Sequence, residues 1–274
     1  SAAPQLHEPS SPTLLHQLGI DLVSLNDASA YYHGEIDIVG PDTIVFTEAN
    51  ASFVNLVAAV LDKKVVTKII LQNCHFTHYL PAEIFQFKAL RHLRIVGGEL
   101  HNISEDLGKL EQLSYLQLSD LKQLDSLPIC IGNLAQLTHL RLELAHLSTF
   151  LPLAHCQGLK RLVIVNTQVE KFPESICQLT ALERLSLTNN QLREMPTSIQ
   201  NLQQLQSLEL TGNPLVNLPK AILELPKLTT FELKKEDLIN AQMEDELKAA
   251  FLTKAAASKE RRIMQDEFYR KIGK

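Results

Sequence analysis

One pattern of 23 residues occurs three times in succession between residues 159 and 228. The copies begin at Leu159, Leu182 and Leu205, and each has leucine and proline residues at the same spacing. A repeat of about 20–50 residues is typical of a solenoid, because one short unit cannot bury its apolar residues until its neighbours stack against it. The period therefore predicts an elongated protein built from stacked units.

Each copy contains two patterns, one after the other. In the second copy, Leu185 and Leu187 alternate with polar residues, as in a strand that is buried on one face. Ile199 and Leu202 then follow Pro196 at a three-residue spacing, which suits a helical or 3₁₀ turn that begins after a proline. Each unit is therefore predicted to hold a short strand followed by a helical turn.

The complete pattern, LxxLxLxxNxLxxLPxxIxxLxx, resembles that of leucine-rich repeat proteins of the 23-residue class. This class includes Ras-suppressor-like scaffolds and many bacterial leucine-rich repeat effectors, and the resemblance covers roughly residues 63–238. It implies an α/β fold, namely a curved solenoid with a parallel β-sheet on the concave side and helical or 3₁₀ segments on the convex side. Helical caps are expected at the N-terminal and C-terminal ends.

The family has an inward asparagine that hydrogen-bonds the backbone of neighbouring turns. Asn190 and Asn213 match this position, and Thr167 and Cys74 are expected to substitute for it in earlier units. Three further units lack a polar side chain there, at Gly98, Leu121 and Ala145. Water or an altered backbone is expected to satisfy the turns of those three units.

The sequence divides into four predicted segments. Residues 1–34 form a polar lead and a short helix, and residues 35–62 form an N-terminal cap or degenerate repeat that begins with two strands. The leucine-rich repeats occupy residues 63–238, and residues 239–274 form a C-terminal helical cap and a basic helix. The basic helix is either a solvated extension of the cap or a surface for a membrane or a protein partner.

Composition limits the classes of partner. The chain has 26 basic and 31 acidic residues, and its net charge of −5 gives no general attraction to nucleic acid or to an anionic membrane. Its four cysteines lie at different positions of their repeats and are expected to be reduced, which favours a cytoplasmic protein or one secreted into a host cell without a classical signal peptide. A monomer is expected.

The alternation of the strands predicts which side chains face the concave surface. With the first leucine of a unit as position zero, positions 3 and 5 point into the core, so positions 2, 4 and 6 point outward. Basic residues are frequent at the outward positions of the first six units, and an acidic partner would complement them. The candidate partner-binding residues are Lys68, His92, Arg94, Tyr115, Gln117, His139, Arg141, Arg161, Val163 and Arg184.

Catalysis and metal binding have little support in the sequence. The pairs Cys74–His75 and His155–Cys156 are the strongest local candidates for a nucleophile and its base, but neighbours in a strand point to opposite faces. His92 and His139 lie two units apart, which is roughly 10 Å at the spacing of strands and too far for one metal ion. We therefore expect no catalytic residue, no metal site and no cofactor.

These observations predict a non-enzymatic protein–protein recognition module that binds its partner on the concave face. The resemblance suggests a secreted bacterial effector that acts in a host cell. It also leaves open a bacterial cell-surface adhesion protein, a cytosolic signalling scaffold, and the substrate-recognition part of a larger enzyme such as an effector ubiquitin ligase. The Cys-x-Asp motif of those ligases is absent from this sequence.

Overall fold

The computed structural model describes residues 34–76 and 78–272, so the polar lead and helix predicted within residues 1–34 lie almost wholly outside the described residues. The chain falls into two compact units, the first ending at Pro152 and the second beginning at Leu153. In the part of the chain that the structure describes, both units are built from short strands joined by 3₁₀ helices, and each also contains one α-helix.

The first unit contains six strands. They are β1 (Glu35–Val39), β2 (Thr43–Thr47), β3 (Lys68–Gln72), β4 (His92–Val96), β5 (Tyr115–Ser119) and β6 (His139–Glu143). β1 is antiparallel to β2, as expected of the two strands predicted after residue 34, and β2 to β6 are parallel neighbours in sequence order. Between β2 and β3 lies helix α1 (Ala51–Val60), whose first turn is capped by the Asn50 side chain. Later connections are the 3₁₀ helices Ala82–Gln86, Glu105–Lys109 and Ile129–Asn133.

The second unit repeats the same plan more regularly. Its strands β7 (Arg161–Val165), β8 (Arg184–Ser186), β9 (Ser207–Glu209) and β10 (Thr230–Glu232) are parallel and start 23 residues apart. The 3₁₀ helices are Glu174–Gln178, Thr197–Asn201, Lys220–Ile222 and Lys235–Leu238, and a further one, Leu151–His155, spans the boundary between the units. Helix α2 (Asp245–Ile272) ends the described chain. The predicted leucine-rich repeat fold is confirmed.

The alternation of the strands places the core where the sequence predicts it. Leu185 and Leu187 are fully shielded from solvent, and so is Ile199 from the 3₁₀ helix of the same repeat. Pro196 precedes that 3₁₀ helix, where its fixed φ is compatible with the turn and its missing N–H leaves no lost hydrogen bond. The repeated leucines therefore form the core between the strands and the 3₁₀ helices of each unit.

A left-handed residue follows the strand in most repeats. Asn73, Asp120 and Asn189 have φ values of 49°, 53° and 55°, and the backbone N–H of each donates to a carbonyl of the next repeat at 2.7–2.8 Å. Gly97 makes the same bond at 2.8 Å, so the turns beside Gly98 and Leu121 keep a backbone link although they lack the asparagine side chain. The same link is made at Asn189, beside the asparagine Asn190, so it is common to turns with and without the inward asparagine.

Asn190 links two repeats from the interior of the second unit. Its Nδ2 donates to the carbonyl oxygens of Ile164 and Leu187 at 2.8 and 2.9 Å, and its Oδ1 accepts from the backbone N–H and the hydroxyl of Thr167 at 3.0 and 2.8 Å. Asn213 donates in the same way to the Leu187 carbonyl, at 2.9 Å. The predicted asparagine ladder is therefore confirmed, and Thr167 joins it as expected.

Helix α2 caps the edge of the second unit. Phe251 and Ala255 are buried against β10, and the Ser258 hydroxyl accepts the backbone N–H of Phe231 at 2.9 Å. An exposed sheet edge would leave backbone N–H and C=O groups available to pair with other chains, and helix α2 covers this edge of the solenoid. Within the described residues, neither α-helix has the length and apolar character needed to cross a membrane.

Candidate functional site

The strand register brings the outward residues of the first unit into rows. Lys68 lies opposite His92, His92 opposite Tyr115, and Tyr115 opposite His139. We call His92, Tyr115 and His139 the aromatic row, and the face of the sheet that carries it the strand side. The next row on the strand side consists of Arg94, Gln117 and Arg141. The parallel pairing thus assembles seven of the ten predicted site residues on this unit.

The aromatic row forms a stack across three strands. The His92 and Tyr115 ring centroids are 5.7 Å apart with 33° between the planes, and those of Tyr115 and His139 are 6.3 Å apart with 30°. Hydrogen bonds fix the central ring, because the Tyr115 hydroxyl donates to Gln117 Oε1 at 3.0 Å and Gln117 Nε2 donates to the Ser119 hydroxyl at 2.9 Å. The row is therefore a pre-ordered surface rather than a set of independent side chains.

Two of the predicted site residues are buried. Gln117 retains 8% of its accessible surface and Val163 retains 7%. Both point outward as predicted, but strands are only about 4.8 Å apart, so longer side chains on neighbouring strands cover shorter ones. Gln117 supports Tyr115 from beneath, and neither Gln117 nor Val163 offers a large contact area. The sequence rule gave the direction of these side chains correctly but gave their exposure incorrectly.

The predicted basic surface of the first unit is only partly basic. Arg141 donates from Nε and Nη2 to Glu143 Oε2, at 3.0 and 2.7 Å, so its charge is offset by an acid on the same strand. Arg94 keeps its charge, and its buried Nε has no hydrogen-bond partner among the described residues. A hydrogen bond from Thr67 is the main cause that lowers the pKa of the Asp42 carboxyl, and the charge of Lys68, at the end of the aromatic row, contributes in the same direction.

The second unit has its own pair of cations. Arg161 lies opposite Arg184 on adjacent strands, and both side chains are exposed. The negative charge of Glu232 on β10 is partly neutralised, since Arg262 of α2 donates to its Oε1 at 2.6 Å. This ion pair could not be inferred from the repeat pattern, because Arg262 lies outside the repeats.

His92 is uncharged at neutral pH in this environment. Burial lowers its pKa below the usual value of 6.5, and the charges of Lys68 and Arg91 together with His139 lower it further, against a smaller opposite effect of Asp42. A neutral imidazole beside Tyr115 presents a flat, weakly polar ring. At neutral pH His92 therefore adds little to the positive charge of Lys68 and Arg91 beside it.

The cysteines are poorly suited to nucleophilic chemistry. Burial raises the pKa of Cys74 and Cys156 to about 11, and burial beside Glu105 raises that of Cys130 to about 12. Cys177 is shifted in the same direction by burial. All four thiols are therefore protonated at neutral pH, whereas a cysteine nucleophile acts as the thiolate.

The Cys74–His75 pair does not form a catalytic arrangement. The His75 imidazole lies 3.1 Å from Glu48 Oε2 at the surface, while Cys74 points inward to the Phe46 carbonyl. Over residues 34–76 and 78–272, no three His, Cys, Asp or Glu side chains converge in a way that could hold a metal ion.

Comparison with known proteins agrees with this architecture. Residues 157–215 match the family model described as leucine rich repeat. A solved leucine-rich repeat protein of Leptospira interrogans is 28% identical, with a TM-score of 0.66 over 77% of this chain and 52% of its own length. This chain thus spans about half the length of the Leptospira protein. No curated protein matches the sequence.

Two less similar structures show the same fold. The Toll–Spatzle complex of Drosophila is 18% identical, with a TM-score of 0.60 over 72% of this chain and 27% of the matched chain. A TLR13 complex with single-stranded RNA is 22% identical, with a TM-score of 0.58 over 72% of this chain and 30% of the other. The protein has the fold of leucine-rich repeat proteins, a fold that supports protein–protein interaction modules.

Proposed function

We propose that this protein is a non-enzymatic recognition module that binds a protein partner with an acidic surface on the strand side of its first unit. The aromatic row is the observation that carries the proposal. Three rings at successive strands provide a flat surface of the kind that is enriched at the centres of protein interfaces. Because hydrogen bonds already order Tyr115, binding costs less side-chain entropy than it would for a mobile ring.

The charges beside the aromatic row favour an acidic partner. Lys68 and Arg91 are close enough to His92 to lower its pKa, and Arg94 occupies the next row. Glu143 offsets Arg141, so the remaining cations are concentrated around the first two rings of the row. Carboxylates of a partner would pair with these cations while its apolar groups cover the rings. Arg161 and Arg184 form a separate cationic pair on the second unit.

A protein ligand is favoured over RNA. One structure with this fold is a TLR13 complex with single-stranded RNA, so the fold itself is compatible with both ligand classes. Another is the complex of Toll with Spatzle. The net charge of −5 and the ion pairs of Arg141 and Arg262 reduce the attraction to a phosphate backbone, which dominates nucleic-acid affinity.

The biological setting that we propose is a bacterial effector that acts inside a host cell as a monomer. The 28% identity to the Leptospira protein supports a bacterial source. A cell-surface adhesion protein, a cytosolic signalling scaffold and the recognition part of a larger enzyme use the same kind of surface and remain the alternatives. The proposed location is the cytoplasm, either of the producing cell or of a host.

A matched pair of double variants tests the proposed surface. We expect Arg94→Glu combined with Tyr115→Ala to weaken partner binding by about 100-fold, because it removes the central ring and reverses a charge at its edge. The binding partner is first captured from host lysates with wild-type protein, and its affinity for each purified variant is then measured by calorimetry. Thermal melts establish that the variants remain folded.

The control variant makes the same kinds of substitution, a cation to glutamate and a tyrosine to alanine, elsewhere on the first unit. Lys64→Glu with Tyr79→Ala alters two exposed residues away from the strand side, so the affinity should stay within about threefold of wild type. Raising the salt concentration should weaken wild-type binding through screening. Loss of binding in the control variant, with retention in the strand-side variant, would exclude the proposed surface.

A further inference from the structure

We propose that the groove between helix α2 and strand β10 binds a single-chain amphiphile that has one anionic head group, such as a free fatty acid. This groove lies wholly within the second unit and is separate from the aromatic row. The proposal therefore does not depend on the function proposed above.

The groove has an apolar lining and the size of a small-molecule site. Its volume is about 610 Å³, within the range of roughly 300–1,000 Å³ that is typical of ligand pockets. Phe231 and Leu233 line it from the strand, while Ala255, Ala256 and Ile263 line it from the helix. Alanine at two successive helical positions leaves space between the helix and the strand, and Ile263 is 48% exposed. Phe231, Leu233 and Ala255 are already buried, so an alkyl chain in the groove would cover mainly Ala256 and Ile263.

The geometry of α2 explains why the groove exists. Its first half is held to β10 by Phe251 and Ser258, but the residues after Ser258 whose side chains are described are exposed. The helix therefore continues beyond the strand that it caps. One wall of the groove is this projecting part, and the opposite wall is the strand side of β10, where Thr230 and Glu232 lie.

The charges around the groove favour a negative head group. Arg262 Nη1 on helix α2 lies 2.6 Å from Glu232 Oε1 on strand β10, so this ion pair links the helix to the strand. Lys234 and Lys259 also line the groove. Neither lysine forms an ion pair with another of the described residues. Asp266 is the remaining acidic residue of the lining. The two exposed lysines thus outnumber the single carboxylate, so an anionic head group placed beside them is attracted to the groove.

A free amphiphile fits better than a protein or a bilayer. A specific protein interface needs about 20–30 residues on each partner, whereas fourteen residues line this groove. A lipid in a bilayer would have to leave the membrane to place its chain between the helix and the strand. The occupant that fits both the groove volume and the lysines is a single chain with one carboxylate.

Calorimetric titration with dodecanoate, below the concentration at which it self-associates, tests the proposal. We expect saturable binding of one dodecanoate per chain. Ala256→Phe should reduce the affinity at least about tenfold by filling the groove, and Lys259→Glu should reduce it about fivefold or more by repelling the head group. The matched controls Ala249→Phe, on an exposed helical position outside the groove, and Lys235→Glu, beside it in sequence, should bind as wild type does.

Two further probes separate this site from nonspecific adsorption. Dodecyltrimethylammonium has the same chain with a positive head and should bind much more weakly than dodecanoate. Sedimentation with phosphatidylglycerol vesicles should leave the protein in the supernatant. The proposal is overturned if dodecanoate does not saturate at one per chain, if the cationic amphiphile binds equally well, if the groove variants behave like their controls, or if the protein binds the vesicles instead.

Discussion

Replacing Leu187 with aspartate is expected to unfold the second unit at ordinary temperatures. Leu187 is fully buried, and its carbonyl accepts hydrogen bonds from both Asn190 and Asn213. The change removes a buried apolar side chain and introduces an unpaired charge, each of which costs several kcal/mol. A total loss of about 5 kcal/mol or more is comparable with the roughly 5–15 kcal/mol of stability that a folded domain possesses.

Circular dichroism measured during heating gives the readout. We expect Leu187→Asp to lack the cooperative transition of wild type, or to show it at least about 10–20 °C lower. The control Arg184→Ala changes an exposed residue of the same repeat and should shift stability by about 0.5 kcal/mol or less. Equal destabilisation by the two substitutions would contradict the assignment of inward and outward positions.

Replacing Asn190 with alanine should cause the second largest loss of stability. Its side chain bonds the backbone of Ile164, Thr167 and Leu187 in the interior, where water cannot replace it. Each buried polar group left without a partner costs about 1–3 kcal/mol. We expect a decrease of about 3–6 kcal/mol in the free energy of unfolding, measured by urea denaturation.

The matched control for the asparagine ladder is Asn201→Ala. Asn201 is exposed at the end of a 3₁₀ helix, so the same chemical change there should cost less than about 0.5 kcal/mol. If the two alanine variants unfolded at the same urea concentration, water or backbone adjustment would be replacing the asparagine. The ladder would then contribute little to the link between repeats.

Much of the fold could be predicted because the repeat ties sequence position to direction. The alternation around Leu185 and Leu187 predicted the buried face, and the 23-residue period predicted that Arg161 would lie opposite Arg184. Those two features depend on local spacing, which a sequence displays directly. The asparagine ladder was expected from the resemblance to leucine-rich repeat proteins.

Exposure and charge pairing could not be predicted in the same way. Whether Gln117 is open to solvent depends on the length and rotamers of its neighbours across the sheet, not on its position in the pattern. The ion pair between Arg141 and Glu143 could not be predicted either, because the repeat pattern gives the direction of a side chain but not its distance from a neighbouring side chain. The groove beside β10 depends on where α2 leaves the strand, and the repeat contains no information about that helix.

Hydroxyl-radical footprinting of the complex with its partner tests the location of the binding surface most directly. The chain has reactive side chains both inside and outside the proposed surface. Tyr115 lies in the aromatic row, whereas Tyr79 and Met264 lie elsewhere and expose 58% and 69% of their accessible surface. Our account predicts that partner binding slows the oxidation of His92, Tyr115 and His139 and leaves Tyr79 and Met264 unchanged. Protection of Tyr79 or Met264, with undiminished oxidation of the aromatic row, would contradict it.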